Sequence, residues 1–211
     1  MDHYESRETA DNYHHHFGTG GAGVSNNESA AKRFSKFIER IPKGGHILDA
    51  GCGTGRFVRY FIESGYEVTG IDYSKAMLAI AIKENPGARF HVMDLRNLDF
   101  DSEMFHGVWN VATLVHLDES EALTVIKETN RVLKEGGPFF LATRTRESYF
   151  FSNEESTEGG KFLVHYHSPK NLKSMLDQTG FHIDELKVEP DDGCRLFDYI
   201  YIHASKETHE D

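Results

Sequence analysis

Short apolar runs alternate with amphipathic segments along most of this 211-residue chain. Five of the runs have the apolar or alternating pattern of strands, and they cover His46 to Ala50, Tyr66 to Asp72, Arg89 to Met93, Phe105 to Val111 and Pro138 to Thr143. Most of the segments between them carry apolar residues at helical spacing and end at glycine or proline. Strands that alternate with helices predict an α/β fold, with a mostly parallel sheet and helices on both faces.

The carboxyl-terminal part of the chain departs from this alternation. A helix is predicted to open at Ser168-Pro169, because proline is favoured at the first helical position. Two strands follow, around 182–188 and 196–204, and the loop between them is too short for a crossover helix. These strands must pair antiparallel, so the expected sheet has seven strands and an antiparallel C-terminal strand.

Two regions interrupt the regular pattern. Residues 1–24 are polar, contain Tyr4 and Tyr13, and end in a glycine-rich run, which predicts an N-terminal arm or lid; a disordered tail is the alternative. Residues 25–211 form a single domain, with a polar surface insertion at about 144–167. The run of three histidines from His14 predicts no metal site, since successive side chains cannot all face one ion.

Composition narrows the classes of partner. The formal net charge is −11, which disfavours binding to nucleic acid. Cys52 and Cys194 are the only cysteines and offer neither a disulfide framework nor metal-ligand spacing. The chain contains no apolar stretch long enough to span a bilayer and no leader pattern after Met1, so we expect a cytoplasmic protein with no membrane association.

The candidate chemistry lies at the end of the first strand. Asp49 ends that strand and is followed by glycines at 51, 53 and 55, which let the backbone approach a ligand closely. Asp72 ends the second strand about 20 residues later, where a carboxylate can bind two ribose hydroxyls. A dinucleotide fingerprint needs its third glycine where Arg56 stands, so a nicotinamide cofactor is disfavoured.

These motifs resemble those of class I S-adenosylmethionine-dependent methyltransferases of the small-molecule type. The run D-A-G-C-G-T-G from Asp49 is similar to their first motif, and 71–74 and 93–95 are similar to their ribose and adenine motifs. Residues 131–137 resemble the turn before the fifth strand, and the final antiparallel hairpin is a mark of the Rossmann-like fold of this family. The resemblance implies an enzyme that uses S-adenosylmethionine and releases S-adenosylhomocysteine.

The resemblance also implies roles for particular residues. On this basis the cofactor-binding residues are Asp49 at the amino end of the methionine part, Gly51 and Gly53 against its chain, Asp72 at the ribose, Tyr73 and Met77 beside the adenine, Asp94 and Leu95 at the adenine amino group, and Ala112 near the methyl group. His116 is the candidate catalytic base, and the alternative is a histidine hydrogen-bonded in the wall of the site.

The acceptor is less clearly indicated. The fourth strand lacks the N/D-P-P-Y/F sequence of methyltransferases that act on amino groups of nucleobases or glutamine, and the paired-glutamate loop of protein arginine methylation is also missing. We therefore expect a small-molecule acceptor. The segment 165–167 is either part of the acceptor pocket or a solvated loop. Two further alternatives are a non-catalytic S-adenosylmethionine-binding partner subunit and a nicotinamide-dependent oxidoreductase.

Overall fold

The computed structural model describes residues 5–15, 28–145, 151–157, 160–190 and 198–208. The helices are α1 (Arg7–Tyr13), α2 (Glu28–Ile38), α3 (Arg56–Glu63), α4 (Lys75–Glu84), α5 (Glu119–Val132) and α6 (Pro169–Asp177). The strands are β1 (His46–Ala50), β2 (Glu67–Asp72), β3 (Arg89–Val92), β4 (Gly107–Val111), β5 (Pro138–Thr145), β6 (Phe151–Thr157), β7 (Gly160–Tyr166), β8 (Phe181–Pro190) and β9 (Asp198–Lys206).

In the described part of the chain, seven strands form one sheet in the order β3-β2-β1-β4-β5-β9-β8. Strands β1 to β5 are parallel to one another, and β9 is antiparallel to both β5 and β8. The predicted fold class is confirmed, including the antiparallel C-terminal strand. Because the strand order reverses between β1 and β4, their carboxyl ends form the switch point at which ligands bind in open α/β sheets.

Alternating residues of the central strands supply two hydrophobic cores, one on each face of the sheet. On β4, Val108 belongs to the core that α5 and α6 cover. Its neighbour Trp109 points to the opposite face, where its ring stacks on Phe140 at a centroid distance of 3.9 Å and packs with Phe37 of α2 and Phe61 of α3. The central strands are therefore buried on both faces, which holds their carboxyl ends in fixed positions.

The region 144–167 differs from the polar surface insertion that the sequence suggests. Strand β5 continues to Thr145, and β6 and β7 pair antiparallel as a separate hairpin. Val164 and Tyr166 at the end of this hairpin are buried in a small cluster with Val115, which follows β4. The hairpin is thus attached to the segment that leaves the central sheet beside the switch point.

The amino-terminal arm also contains regular structure. Ser6 caps α1 by accepting a hydrogen bond from Thr9 N at 3.0 Å, and α1 buries Thr9 and Ala10. The helix packs against α4. The predicted lid residue Tyr4 and the glycine-rich run lie outside the described residues, so only α1 represents the arm here.

No helix in the described residues combines the length and the apolar character needed to cross a membrane.

Candidate active site

The glycine turn after β1 has a backbone that only glycine adopts easily. Gly51, Gly53 and Gly55 all have positive φ angles, of 79°, 55° and 80°. A Cβ atom on Gly51 would lie 2.0 Å from Thr113 Cγ2, so any side chain there would clash with the residue that follows β4. The amides of Gly51 and Cys52 both donate to the carbonyl of Ile71, at 2.8 and 2.9 Å. The turn is therefore held between β2 and the end of β4.

Asp49 places a carboxylate in the interior beneath this turn. Its side chain is 2% exposed, and its Oδ2 atom has no hydrogen-bond partner within the described structure. Burial raises the pKa of the Asp49 carboxyl to about 8, and the nearby guanidinium of Arg56 opposes that rise. A buried carboxylate with an unused oxygen is costly unless a cation or donor pairs with it.

Asp72 lies at the end of β2 and is held by backbone amides. Gly53 N donates to its Oδ2 and Ser74 N donates to its Oδ1, both at 2.9 Å. Ser74 in turn caps α4 by accepting a hydrogen bond from Met77 N at 3.1 Å. Burial raises the pKa of Asp72 and the backbone donors lower it. Each carboxylate oxygen keeps further acceptor capacity, so the group remains available to a hydroxyl pair.

Tyr13 of α1 closes the space above the turn. Its Cε1 atom would be 3.7 Å from a Cβ on Gly53, and its pKa is raised by burial, with Arg56, Tyr199, Asp72 and Asp49 as its electrostatic neighbours. The remaining cavity has walls formed by the turn, Tyr13, Arg56 and other side chains, and holds about 20 Å³. That volume is enough for about one water molecule.

Arg56 also lines this cavity, and no binding role was predicted for it from the sequence. It opens α3 directly after the last glycine, and its guanidinium lies 4.5 Å from the centroid of the Phe57 ring. Among the described residues it forms no ion pair within 4.0 Å. Its position in the sequence, immediately after the glycine turn, could have indicated a binding role.

Comparisons with known proteins agree with this arrangement. Residues 47–137, which include the turn, Asp49 and Asp72, match the family model described as "Methyltransferase domain". This part of the chain, slightly less than half of its length, is thus similar to a methyltransferase domain.

Individual relatives of the methyltransferase domain act on different acceptors. A malonyl-[acyl-carrier protein] O-methyltransferase of Enterobacter lignolyticus is 29% identical over 124 residues, which are 58% of this chain and 49% of that protein. A probable tRNA methyltransferase 9B of Homo sapiens is 29% identical over 143 residues, 67% of this chain and 31% of that protein. This chain thus spans less than half the length of either relative.

A solved structure resembles nearly the whole chain. It is a Burkholderia thailandensis 1,6-didemethyltoxoflavin-N1-methyltransferase with bound 1,6-didemethyltoxoflavin and S-adenosylhomocysteine. It has a TM-score of 0.69 and 21% identity, and the match covers 96% of this chain and 87% of that protein. At this identity the likeness establishes the fold.

The other expected cofactor residues of the methyltransferase domain surround the same edge of the sheet. Tyr73 is 46% exposed at the start of the segment before α4, and Met77 is 3% exposed on that helix. Leu95 Cδ1 lies 3.7 Å from the Cβ position on Gly51, so the loop after β3 reaches the turn. Asp94, in that loop, is bonded to Arg96.

The segment after β4 has an unusual backbone. Ala112 adopts a positive φ of 58°, and its amide donates to the carbonyl of Ala142 at 2.8 Å. Thr113 Oγ1 donates to Asn110 Oδ1 at 2.5 Å. His116 ends the 3-10 turn Leu114–His116 and is half-buried; it is not among the residues that line the cavity at the glycine turn.

His167 is part of the wall between the hairpin and this segment. It is fully buried, and its Nε2 atom bonds the carbonyls of Leu114 and Leu117 at 3.0 and 3.1 Å. Its own carbonyl accepts from Thr145 Oγ1 at 2.6 Å, and burial lowers the pKa of its ring. The solvated-loop interpretation therefore does not hold for His167. The described residues contain no group of three potential metal ligands.

Proposed function

We propose that this protein transfers a methyl group from S-adenosylmethionine to a small-molecule acceptor. The observation that carries the proposal is the buried, unpartnered oxygen of Asp49 beneath a turn with positive φ angles, in which Gly51 has no room for a side chain. A cofactor with an ammonium group would satisfy that oxygen. The side chains present fit both ends of S-adenosylmethionine: Asp49 and Arg56 suit its charged methionine end, and Asp72 suits its ribose hydroxyls.

The methionine end of this cofactor is a zwitterion, and the cavity offers one group of each charge. Asp49 would bind the ammonium group, and the guanidinium of Arg56 would bind the carboxylate. Gly51 and Gly53 would leave space for the chain between them. The pairing would also account for a buried carboxylate with an unused oxygen at this depth, because the bound cofactor would supply the missing partner.

The nucleoside end would follow the edge of the sheet from β2 to β3. Asp72, fixed by two backbone amides, would accept from the ribose hydroxyls. Tyr73 and Met77 would flank the adenine, and Leu95 would cover it from the loop after β3. Ala112, with its strained backbone, would bring the main chain of the segment after β4 close to the reacting methyl group.

The bound cofactor supplies an electrophilic methyl group on a sulfonium, and the chain contributes position and exclusion of water. Tyr13 and Phe57 would shield the donor. His116 would deprotonate an acceptor that needs a base.

The segment 1–24 would act as a lid. In support, α1 packs against α4 and inserts Tyr13 above Gly53, and a cavity of about 20 Å³ is far too small for a nucleoside. Cofactor entry would therefore require α1 to move away from the turn and to return over the ligand.

Two considerations favour a small molecule as the acceptor. The chain has a net charge of −11, which opposes binding to a phosphate backbone. The Burkholderia neighbour, which resembles nearly the whole chain, holds a small heterocycle as its acceptor. The human relative is named for tRNA, which is the competing acceptor class.

The test is a screen in which the purified protein and S-adenosylmethionine are incubated with metabolite pools or with tRNA, and S-adenosylhomocysteine is measured. We expect release with a small metabolite and none with tRNA. Release with tRNA alone would contradict the acceptor class. Cofactor binding without release from any pool would favour a non-catalytic partner subunit.

A further inference from the structure

Both oxygens of the Asp94 carboxylate accept hydrogen bonds from one neighbouring arginine. Its Oδ1 accepts from Arg96 N at 2.9 Å and from Arg96 Nε at 3.0 Å. Its Oδ2 accepts from Arg96 Nε at 3.1 Å and from Nη2 at 2.6 Å. Because Nε carries a single hydrogen, three N–H groups of Arg96 hold the carboxylate. An ionised carboxylate has about four acceptor positions, so Arg96 takes most of its capacity.

The same arginine reaches across to α5. Arg96 Nη1 donates to Glu121 Oε1, while Glu121 Oε2 accepts from Asp118 N at 3.1 Å. Asp118 Oδ1 accepts from the amides of Ser120 and Glu121, both at 2.9 Å, which completes a capping box at the start of α5. Arg96 therefore joins the loop after β3 to the first turn of α5 through charge-assisted bonds at both ends.

Both ends of this bridge adjoin the proposed donor site. Leu95, between the two bonded residues, lies 3.7 Å from the Cβ position on Gly51. The loop is also closed by a hydrogen bond from Asn97 N to Asp94 O at 3.1 Å. At the other end, α5 follows directly on the segment 112–118, which leaves β4 beside the same turn. The side chain of Arg96 thus fixes the loop after β3, which would contact the adenine, relative to the segment 112–118, which would lie near the methyl group.

We propose that Arg96 is a positioning residue, and that Asp94 acts as its anchor and not as the acceptor of the adenine amino group. The pair holds the loop 94–97 against α5, so that Leu95 and the loop backbone meet the adenine at a fixed distance. This inference rests on the proposed function, and it revises the role that family resemblance gives to Asp94.

The test compares two probes, S-adenosylhomocysteine and S-inosylhomocysteine, which lacks the exocyclic amino group. Asp94→Asn and Arg96→Gln should each weaken binding of both probes by about tenfold, and the double variant should be no worse than either single one. Arg96→Lys should recover part of the loss, because it restores the charge but not the bidentate geometry. Arg89→Gln, in an exposed pair with Glu67, is the matched control and should bind like the unmodified protein.

A loss in Asp94→Asn that affects only S-adenosylhomocysteine would overturn the inference, since it would show direct contact with the amino group. Additive losses in the double variant would also overturn it. The unmodified protein serves as the test of the proposed function itself: if it binds neither probe, that function fails. Thermal unfolding of each variant, and the Arg96→Lys result, separate lost positioning from lost folding.

Discussion

At the scale of single residues, the ionisation of Asp49 links cofactor binding to pH. Its pKa of about 8 belongs to the protein without a bound cation, where burial dominates. An ammonium group beside the carboxylate would favour the charged form and lower that pKa. Binding below pH 8 would therefore release a proton.

We expect the affinity for S-adenosylhomocysteine to rise with pH between about pH 6 and pH 8, by up to about tenfold per unit. Calorimetric titration in buffers of different ionisation enthalpy should detect the released proton. Asp49→Asn should bind more weakly and lose the pH dependence. A flat profile in the unmodified protein would argue against an ion pair at Asp49.

Asp72 supports a second prediction at this scale. Asp72→Ala should weaken cofactor binding by about 1–3 kcal/mol, because it removes charge-assisted acceptors for two hydroxyls. The substitution also removes the acceptor of Gly53 N. Binding of the 2′-deoxy cofactor analogue to the unmodified protein is therefore measured as well, since it removes a ribose hydroxyl and leaves Asp72 in place. Asp99→Ala, at an exposed position in the loop after β3, is the control. Unchanged affinity in Asp72→Ala would refute the ribose role.

At the scale of elements, α1 controls access to the site. Ala10→Asp would put a charge on the buried face of α1 and undock the helix, because Ala10 is 0% exposed. We expect S-adenosylhomocysteine to associate faster with this variant and to dissociate faster, as followed by stopped-flow fluorescence. Glu8→Ala, on the exposed face of the same helix, should behave like the unmodified protein. An unchanged association rate in Ala10→Asp would contradict the lid.

Elements with a strong local signal were predictable from the sequence. The apolar run of β1 and the opening of α6 at Ser168-Pro169 are both confirmed, because each depends on neighbouring residues. The hairpin of β6 and β7 was missed, since β6 is mostly polar and the apolar residues 162–164 of β7 are consecutive and do not alternate. Helix α1 was missed because its burial comes from α4, which lies far away in the sequence.

The same distinction holds for the site. Asp72 and the glycine turn were identified from spacing, and the structure brings them into direct contact through Gly53 N. The engagement of Asp94 by Arg96 and Glu121 was not predictable, because it depends on the approach of α5 to the loop after β3. Sequence spacing locates a carboxylate at a strand end, but it does not show which side chain already occupies it.

At the scale of the whole molecule, two buried groups give opposite pH dependence to folding. Burial lowers the pKa of His203 from 6.5 to about 4, so its contribution to stability is lost as pH falls through that range. Asp49 has its pKa raised from 3.8 to about 8, so its contribution is lost as pH rises through that range. Below pH 6.5 the two effects on stability oppose each other. Above pH 6.5 the contribution of His203 no longer changes with pH, so the effect of Asp49 lowers stability as pH rises.

We therefore expect the free energy of unfolding of the ligand-free protein to fall between about pH 6.5 and pH 8, by at most about 2 kcal/mol. Urea titrations at several pH values should show this decline. Asp49→Asn should abolish it, and saturating S-adenosylhomocysteine should reverse it. A decline that persists unchanged in Asp49→Asn would assign it to another group.

The most direct test of the central claim is a calorimetric titration of the unmodified protein with S-adenosylhomocysteine, with NAD as the comparison ligand. We expect saturable binding of one S-adenosylhomocysteine per chain and no binding of NAD. Binding of NAD, or the absence of binding to both S-adenosylhomocysteine and S-adenosylmethionine, would contradict it.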